Sequence, residues 1–307
     1  MTKVFIDGSA GTTGLRIHER LAARRDLTLI TLPEERRKDP EARREALNTA
    51  DIAFLCLPDA AAEEAVGLTE NPETALIDTS TAHRTTDGWV YGFPELPGLR
   101  ERIRSSRRIA NPGCHASGFI ALIAPLVLSG ILPASAALSC FSLTGYSGGG
   151  KKMIAAYEAE DRDPLLDAPR AYGLGQAHKH LPEMKAVCGL LSAPVFLPVV
   201  TPFYAGMEVT VPLVSPMIRG TPDDIRACFR ETYREGLIRF APHADEDGFL
   251  SAARYAGRDD MEVAVFGNEE RIVLAARFDN LGKGASGAAI QNMNILLGVD
   301  ETSGLVV

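Results

Sequence analysis

Cys114 is the residue of this sequence that is best placed for nucleophilic chemistry. It follows the turn Asn111-Pro112-Gly113 and precedes an apolar run to about Ser129, so its thiol lies at the start of a predicted helix. The positive end of a helix dipole favours the thiolate, which is the reactive form of cysteine. The other four cysteines fall inside predicted strands or helices, where thiols are usually inert: Cys56, Cys140, Cys188 and Cys228. We therefore predict that Cys114 is a covalent nucleophile.

A cysteine nucleophile needs a group that handles protons, and the sequence has six histidines. The segment His178-Lys179-His180-Leu181-Pro182-Glu183 carries two of them at the approach to a predicted helix, and we predict that one is the acid or base, with His178 favoured. No metal site is expected, because two histidines two residues apart lack further ligands at a standard spacing. His115 adjoins the nucleophile, but adjacent helical residues point in different directions, so we expect it to be a neighbour and not the base.

A glycine-rich loop indicates a dinucleotide site. Gly8-Ser9-Ala10-Gly11-Thr12-Thr13-Gly14 lies between the first predicted strand and the first predicted helix, where small residues let backbone N–H groups approach a pyrophosphate. NAD enzymes usually have an acidic residue at the end of the second strand. Here that strand ends at Leu32-Pro33, and Glu34-Glu35-Arg36-Arg37-Lys38 follows. A guanidinium of Arg36 or Arg37 can pair with a 2′-phosphate. We predict NADP as cofactor; the alternative is a solvated charged turn.

A second glycine-rich segment, Tyr146-Ser147-Gly148-Gly149-Gly150-Lys151-Lys152, follows a predicted strand and precedes a predicted helix. Successive backbone N–H groups in such a turn can form an anion-binding nest, with the lysines adding positive charge. We predict that it holds the substrate. The alternative interpretation is a flexible connection.

The elements that must position these residues predict an α/β protein. The first third alternates strands and helices, which predicts a Rossmann-type parallel sheet domain, residues 1–113. Longer strands follow, and we predict an α+β catalytic domain with a mixed, largely antiparallel sheet over residues 114–284. A final helix, within residues 285–307, is expected to pack back on the first domain.

Composition excludes several other classes of protein. The chain has 307 residues, 46% of them hydrophobic and 23% charged, which is typical of a globular protein with one large domain or two. A net charge of -8 argues against nucleic acid or membrane as a partner. The five cysteines form no disulfide or zinc pattern, and the amino-terminal residues lack the apolar stretch of a signal peptide. We therefore expect a cytoplasmic protein with reduced thiols.

Taken in order, six motifs resemble those of the N-acetyl-gamma-glutamyl-phosphate reductases, a family related to the aspartate-semialdehyde dehydrogenases. They are Gly8 to Gly14, Gly92-Phe93-Pro94-Glu95, Asn111 to Cys114, Ser147 to Gly150, His178 to Glu183, and Asn280-Leu281-Gly282-Lys283-Gly284. The resemblance covers essentially the whole chain, and the short length is similar to that of the compact, type 2 subfamily. One departure is His115-Ala116-Ser117, where the family usually has an aromatic residue and a threonine. Whether His115 tunes the thiol or fills space stays open.

The resemblance implies a reaction in arginine biosynthesis. Cys114 would attack an acyl phosphate and expel phosphate to form a thioester, which NADPH would reduce to an aldehyde. It also implies that Asn280, Lys283 and Gly284 meet the nicotinamide end of the cofactor. Six residues are expected to bind the small-molecule substrate: Arg84, Asn111, Ser147, Gly148, Gly149 and Glu183. We also expect a homo-oligomer, either a dimer or a tetramer.

Three alternatives remain at this point. The nearest is another acyl-phosphate reductase, such as aspartate-semialdehyde dehydrogenase or an aminoadipate-pathway homologue. A second is a cysteine hydrolase or acyltransferase that uses Cys114 without a nucleotide, against which the glycine loop argues. A third is an NADP-sensing regulator, which has no need for a thiol at a helix start.

Overall fold

The computed structural model describes all 307 residues, and these divide into two compact units. The first unit comprises Met1–Pro94, Gly98–Pro112 and Ala285–Val306, and the second comprises Glu95–Pro97, Gly113–Gly284 and Val307. None of the helices combines the length and the apolar character that a membrane crossing requires.

The first unit contains a six-stranded sheet in which every pairing is parallel. Its strands are β1 (Thr2–Asp7), β2 (Leu27–Ile30), β3 (Ile52–Leu55), β4 (Ala75–Asp78), β5 (Val90–Tyr91) and β6 (Arg108–Ala110). They are arranged in the order β2-β1-β3-β4-β6-β5. All residues of β3 and β4 are buried, as expected for central strands covered by helices on both faces.

The helices of this unit begin and end where local chemistry favours it. They are α1 (Thr12–Ala22), α2 (Pro40–Thr49), α3 (Asp59–Leu68) and α4 (Leu99–Ser105). The side chain of Asp39 accepts a hydrogen bond from the Glu41 N–H, and Pro40 occupies the first helical position of α2. α1 begins directly after the glycine loop, with Gly11 as its N-cap.

The second unit contains a mixed seven-stranded sheet in the order β11-β12-β13-β10-β7-β9-β8. Its strands are β7 (Ser139–Gly145), β8 (Arg170–Ala171), β9 (Val195–Thr201), β10 (Met207–Val214), β11 (Ile238–Phe240), β12 (Met261–Gly267) and β13 (Arg271–Phe278). The β7–β9 and β11–β12 pairings are parallel, and the others are antiparallel. The predicted fold class, a parallel sheet followed by a largely antiparallel one, is therefore confirmed.

Helix α5 (Cys114–Leu128) packs against β10 and β13 and covers one face of this sheet. Its apolar residues are buried over almost the full length, which explains the unbroken hydrophobic run in the sequence. Further helices of the unit are α6 (Gly150–Glu158), α7 (Leu181–Val187) and α8 (Pro222–Thr232). The helix that the sequence predicts after His180 is α7, and it ends at Val187.

The last helix, α9 (Gly287–Leu297), lies in the first unit and follows a π-helical turn over Gly282–Ser286. Its Ile290 and Met293 share a core cluster with Val4 and Ile6 of β1. The short strands β5, β8 and β11 and the helix α4 were not predicted. Each of these strands has only two or three residues, which is too few for a periodic pattern. In α4 only Ile103 is buried, so this helix has no apolar stripe that the sequence could show.

Candidate active site

Cys114 is the first residue of α5, so the prediction that it begins a helix is confirmed. Its side chain is partly exposed. The preceding Gly113 is the N-cap in an extended conformation, and its N–H donates to Oε2 of the buried Glu183 at 3.1 Å. The Ser117 hydroxyl donates to the Gly113 carbonyl oxygen at 3.1 Å. A carboxylate of α7 thus holds the turn that presents the thiol.

Three histidine rings cluster beside this helix start. The ring centroid of His115, the residue after Cys114, lies 5.6 Å from those of both His178 and His180. The two predicted acid/base candidates, His178 and His180, are 4.7 Å apart in an edge-to-face arrangement. Phe196 of β9 packs against His115 at 5.3 Å and against His178 at 5.1 Å. The tertiary structure therefore brings the His178–Glu183 segment to Cys114.

His115 is the centre of a hydrogen-bond chain that the sequence did not reveal. Its Nδ1 lies 2.7 Å from the Ser142 hydroxyl oxygen, and its Nε2 lies 2.7 Å from the Tyr172 hydroxyl oxygen. Burial, with a smaller contribution from His178, lowers the pKa of His115 to about 3. Because the ring stays neutral at ordinary pH, one of its nitrogens donates and the other accepts.

Tyr172 is a further residue that sequence reasoning missed. Burial raises the pKa of its phenol, and the nearby charge of Cys114 raises it further. The Tyr172 hydroxyl is therefore neutral and lies within electrostatic range of Cys114. It belongs to no motif, so no local signal in the sequence distinguishes it from other tyrosines.

The loop that contains Tyr172, His178 and His180 is hydrogen-bonded to β9. The side-chain amide of Gln176 donates to the Phe196 carbonyl at 2.8 Å and accepts from the Phe196 N–H at 2.9 Å. Gln176 has a φ of 54°, a left-handed conformation that is uncommon outside glycine. The His180 N–H donates to His178 Nδ1 at 3.2 Å, so the neutral His178 ring carries its proton on Nε2.

The predicted substrate turn begins with a single 3₁₀ turn over Tyr146–Gly149. Gly148 and Gly149 are exposed, whereas Ser147 is buried and accepts a hydrogen bond from Asn280 Nδ2 at 2.9 Å. Asn280 Oδ1 accepts from the Gly206 N–H at 3.0 Å. The Asn280 side chain, which was predicted to contact the cofactor, thus stabilises the Tyr146–Gly149 turn, which was predicted to hold the substrate.

Lys283 and Gly284 lie in the π-helical turn. The ammonium of Lys283, which the sequence assigned to the cofactor, forms a 2.7 Å ion pair with Glu95, and their side chains are only 1% and 0% exposed. Gly284 packs on Cys114, because a Cβ at this position would lie 3.0 Å from the Cβ of Cys114.

The first unit contains a cavity of about 700 Å³ at the carboxyl ends of β1 and β2. Gly8 and Ser9 line it, and Gly8 has a φ of 86°, with its missing Cβ directed at the Cys56 carbonyl oxygen. The start of α1 follows directly, with Gly11 as N-cap and Thr12, Thr13 and Gly14 in the first turn. A glycine loop and a cavity of this size fit a dinucleotide.

Charged residues on the rim of this cavity differ in part from the prediction. Arg37 and Lys38 line the cavity, together with Glu34 and Glu35. Arg36 does not line it and pairs with Asp39 at 3.1 Å on the exposed surface.

At the cavity wall, the buried Arg43 contacts Asp7 through its Nε at 3.0 Å. It also contacts Glu64 at 2.7 Å. Burial raises the pKa of Asp7, although Arg43 acts in the opposite direction.

Arg84 and Asn111, both predicted substrate residues, contact each other within the first unit. Arg84 donates from Nε to the Asn111 carbonyl at 3.0 Å and from Nη2 to the Thr79 carbonyl at 3.1 Å. The Asn111 amide donates to the Ala285 carbonyl at 3.0 Å, and its oxygen accepts from Asn292 at 3.3 Å. The other four predicted substrate residues lie in the second unit: Ser147, Gly148, Gly149 and Glu183. No group of three or more metal-ligating side chains is arranged for a metal ion.

Comparison with known proteins assigns both units. Residues 3–106 match the family described as semialdehyde dehydrogenase, NAD binding domain. Residues 114–280 match the family described as semialdehyde dehydrogenase, dimerisation domain.

Among relatives, N-acetyl-gamma-glutamyl-phosphate reductase 2 of Nostoc sp. is 45% identical, over 99% of this chain and 99% of that protein. N-acetyl-gamma-glutamyl-phosphate reductase of Burkholderia lata is 45% identical, over 98% of each chain.

Among solved structures, aspartate semialdehyde dehydrogenase II of Vibrio cholerae superposes with a TM-score of 0.72 at 18% identity, over 97% of this chain and 98% of that chain. Aspartate semialdehyde dehydrogenase of Candida albicans, solved with NADP, superposes with a TM-score of 0.66 at 15% identity, over 97% and 99%. At these identities the likeness shows a shared fold.

Proposed function

The chain belongs to the semialdehyde dehydrogenase family, among its N-acetyl-gamma-glutamyl-phosphate reductases, and we propose that Cys114 carries the covalent step of that reaction. The reaction converts N-acetyl-gamma-glutamyl phosphate to N-acetylglutamate 5-semialdehyde with release of phosphate, in arginine biosynthesis. The observation that carries the proposal is a partly exposed thiol at a helix start, next to a histidine cluster, in a chain 45% identical to such reductases over nearly its full length.

Cys114 acts first as a nucleophile. Its sulfur forms a bond with the acyl carbon, the bond from that carbon to the phosphate oxygen breaks, and a thioester results. The proton of the thiol passes to a histidine and from there to the departing phosphate. The hydride that reduces the thioester carbon would come from NADPH when it is bound. Cleavage of the carbon–sulfur bond then releases the aldehyde and leaves the Cys114 thiolate, which takes up a proton from solvent to restore the thiol.

The proton carrier is one of His178 and His180. The sequence favoured His178. In the structure, however, the His180 N–H donates to Nδ1 of His178. His178 can therefore accept a further proton only when this hydrogen bond opens. This geometry supports His180 as the group that exchanges the proton with Cys114. His178 would then donate from Nε2 to the substrate.

For the cofactor, we propose NADP held by the glycine loop and the cavity beside it. Gly8 and Ser9 would approach the pyrophosphate. Arg37 and Lys38 would pair with the 2′-phosphate, in place of the predicted Arg36.

A homo-oligomer is also part of the proposal. Phe141 of β7 and Leu197 of β9 are cross-strand neighbours, and they are 39% and 40% exposed on the sheet. A second copy of the chain would cover this apolar face, in keeping with the dimerisation domain that residues 114–280 match. Phe141→Glu is expected to lower the mass measured by analytical ultracentrifugation.

The experiment that tests the activity is the reverse reaction in the full chain. N-acetylglutamate semialdehyde, phosphate and NADP should yield NADPH, and Cys114→Ser should abolish this while Cys228→Ser, at another partly exposed thiol, should not. Aspartate semialdehyde in place of the acetylated substrate is the control for the related reductases. Turnover of that substrate alone, or full activity of Cys114→Ser, would contradict the proposal.

A further inference from the structure

We propose that Asp279 is a positioning residue for Cys114: its buried carboxylate holds the turn that packs Gly284 against Cys114. Asp279 follows the last residue of β13 and precedes the π-helical turn over Gly282–Ser286. In this role it acts on Cys114 through the turn. The effect on the thiol stands without the proposed function, whereas the effect on turnover rests on it.

The Asp279 carboxylate is fully buried and accepts hydrogen bonds from three backbone N–H groups. Its Oδ1 accepts from the Leu281 N–H at 2.6 Å and from the Gly282 N–H at 3.0 Å, and its Oδ2 accepts from the Gly257 N–H. The backbone carbonyl of Asp279 accepts from the Gly284 N–H at 3.0 Å. Hydrogen bonds to an ionised acceptor are stronger than those between neutral groups, so this single residue fixes the course of the chain from Leu281 to Gly284.

The turn also packs closely on the loop that precedes β12. Gly282 has no space for a side chain, because a Cβ there would overlap the Arg258 carbonyl oxygen. Gly257 of the same loop donates the N–H that Asp279 Oδ2 accepts, so the carboxylate ties the turn to the loop. The turn therefore contacts this loop through Gly282 and Cys114 through Gly284.

Gly284 transmits the position of the turn to Cys114. A Cβ on Gly284 would lie 3.0 Å from the Cβ of Cys114, so the backbone of the turn is packed against this side chain. Without the Asp279 carboxylate, the Leu281 and Gly282 N–H groups would lose a buried acceptor, and buried donors are rarely left without one. The turn would then rearrange, and its packing on Cys114 would loosen.

The first test measures the rate at which iodoacetamide alkylates Cys114 in the full chain, which requires no substrate. Peptide mass analysis separates this thiol from the other partly exposed ones, Cys56 and Cys228. In Asp279→Ala the rate at Cys114 should rise severalfold, because a looser turn gives the reagent freer access to a thiol that is only partly exposed in the parent.

A conservative variant and a matched control separate positioning from a loss of stability. Asp279→Asn retains one side-chain oxygen for the turn but places an amino group against the Gly257 N–H, so it should raise the rate less than Asp279→Ala. Glu262→Gln weakens a buried ion pair with Arg277 in the same unit and lowers stability, but the alkylation rate at Cys114 should keep the parent's value. Urea unfolding of each variant measures the stability.

Turnover provides the second readout. In the reverse reaction, Asp279→Ala should lower kcat about tenfold to a hundredfold with a smaller change in KM, because a displaced thiol reacts slowly even when the substrate is bound. Gly284→Ala should lower kcat by a smaller factor in Asp279→Ala than in the parent, because a looser turn gives the added methyl group room.

An unchanged alkylation rate at Cys114 in Asp279→Ala would overturn the inference, and so would an equal rise in Glu262→Gln. If Asp279→Ala does not fold, Asp279→Asn carries the test, and an alkylation rate at the parent's value would then overturn the inference. Independent effects of Asp279→Ala and Gly284→Ala on kcat would also overturn it. A raised alkylation rate in a chain whose parent does not reduce NADP would instead overturn the proposed function and leave the role of Asp279 at the thiol standing.

Discussion

Gly284 lies directly against Cys114, since a Cβ on Gly284 would be 3.0 Å from the Cβ of Cys114 and 3.1 Å from the Asp279 carbonyl oxygen. Real Cβ atoms rarely approach so closely, so a methyl group here displaces the thiol. A displacement of 1 Å at a reacting atom can lower a rate about a hundredfold.

We expect Gly284→Ala to lower kcat by about tenfold to a hundredfold while the chain remains folded. Steady-state kinetics and circular dichroism measure the two effects. The control is Gly67→Ala, because Gly67 has open space around its Cβ position. Equal activity of the two variants would show that this contact does not position the nucleophile.

The preference for NADPH over NADH should depend on Arg37 and not on Arg36. Arg37 lines the cavity, whereas Arg36 pairs with Asp39 on the surface. Loss of one charged hydrogen bond to the 2′-phosphate costs about 1.5–3 kcal/mol, which is tenfold or more in affinity. Arg37→Ala should therefore narrow the ratio of kcat/KM for NADPH over NADH by about tenfold, and Arg36→Ala should not. A larger effect of Arg36→Ala than of Arg37→Ala would show that the 2′-phosphate does not bind beside Arg37.

Removing one partner of the buried pair between Lys283 and Glu95 should destabilise the protein. Both side chains are almost fully buried, so Lys283→Met removes the ammonium that Glu95 contacts at 2.7 Å. Such a loss typically costs about 3–5 kcal/mol. Urea unfolding should show this decrease, whereas Arg162→Ala, which breaks the exposed pair with Asp167, should change stability by about 0–1 kcal/mol. A change below 1 kcal/mol in Lys283→Met would contradict the role of the pair.

The two histidines of the His178–Glu183 segment should differ in their pH–rate profiles. The His180 N–H donates to His178 Nδ1, so that nitrogen cannot take up a proton while the hydrogen bond is made. We expect His180→Asn to remove the acidic limb of kcat/KM, and His178→Asn to lower kcat/KM while retaining that limb. The opposite assignment would restore His178 as the base. An unchanged limb in the double variant would show that the segment is structural.

Acid should destabilise the native chain through His115. Its pKa is about 3 in the folded state, against an ordinary value of 6.5, so between these values the unfolded chain binds one more proton. The resulting loss of stability on acidification is about 1.4 kcal/mol per pH unit. His115→Phe removes this contribution, so its urea midpoint should fall less than that of the parent between pH 6.5 and 4.5. The exposed His243, changed to Gln, is the reference substitution.

Local sequence determined the elements and the place of Cys114 at a helix start. Alternating strand and helix patterns predicted the parallel sheet, the longer strands predicted the mixed sheet, and the turn before Cys114 predicted the start of α5. These features depend on residues within a few positions of one another, through turn chemistry, helix capping and hydrophobic periodicity. A single sequence contains that information directly.

Only the tertiary structure decided which side chains meet. Lys283 pairs with Glu95 across 188 residues of chain, Asn280 with Ser147 across 133, and Tyr172 with His115 across 57. The resemblance to the reductase family assigned Lys283 and Asn280 to the cofactor, and no sequence pattern gave Tyr172 a role. Such contacts depend on strand order and loop path, because these bring distant residues within hydrogen-bond distance, and no local pattern encodes either.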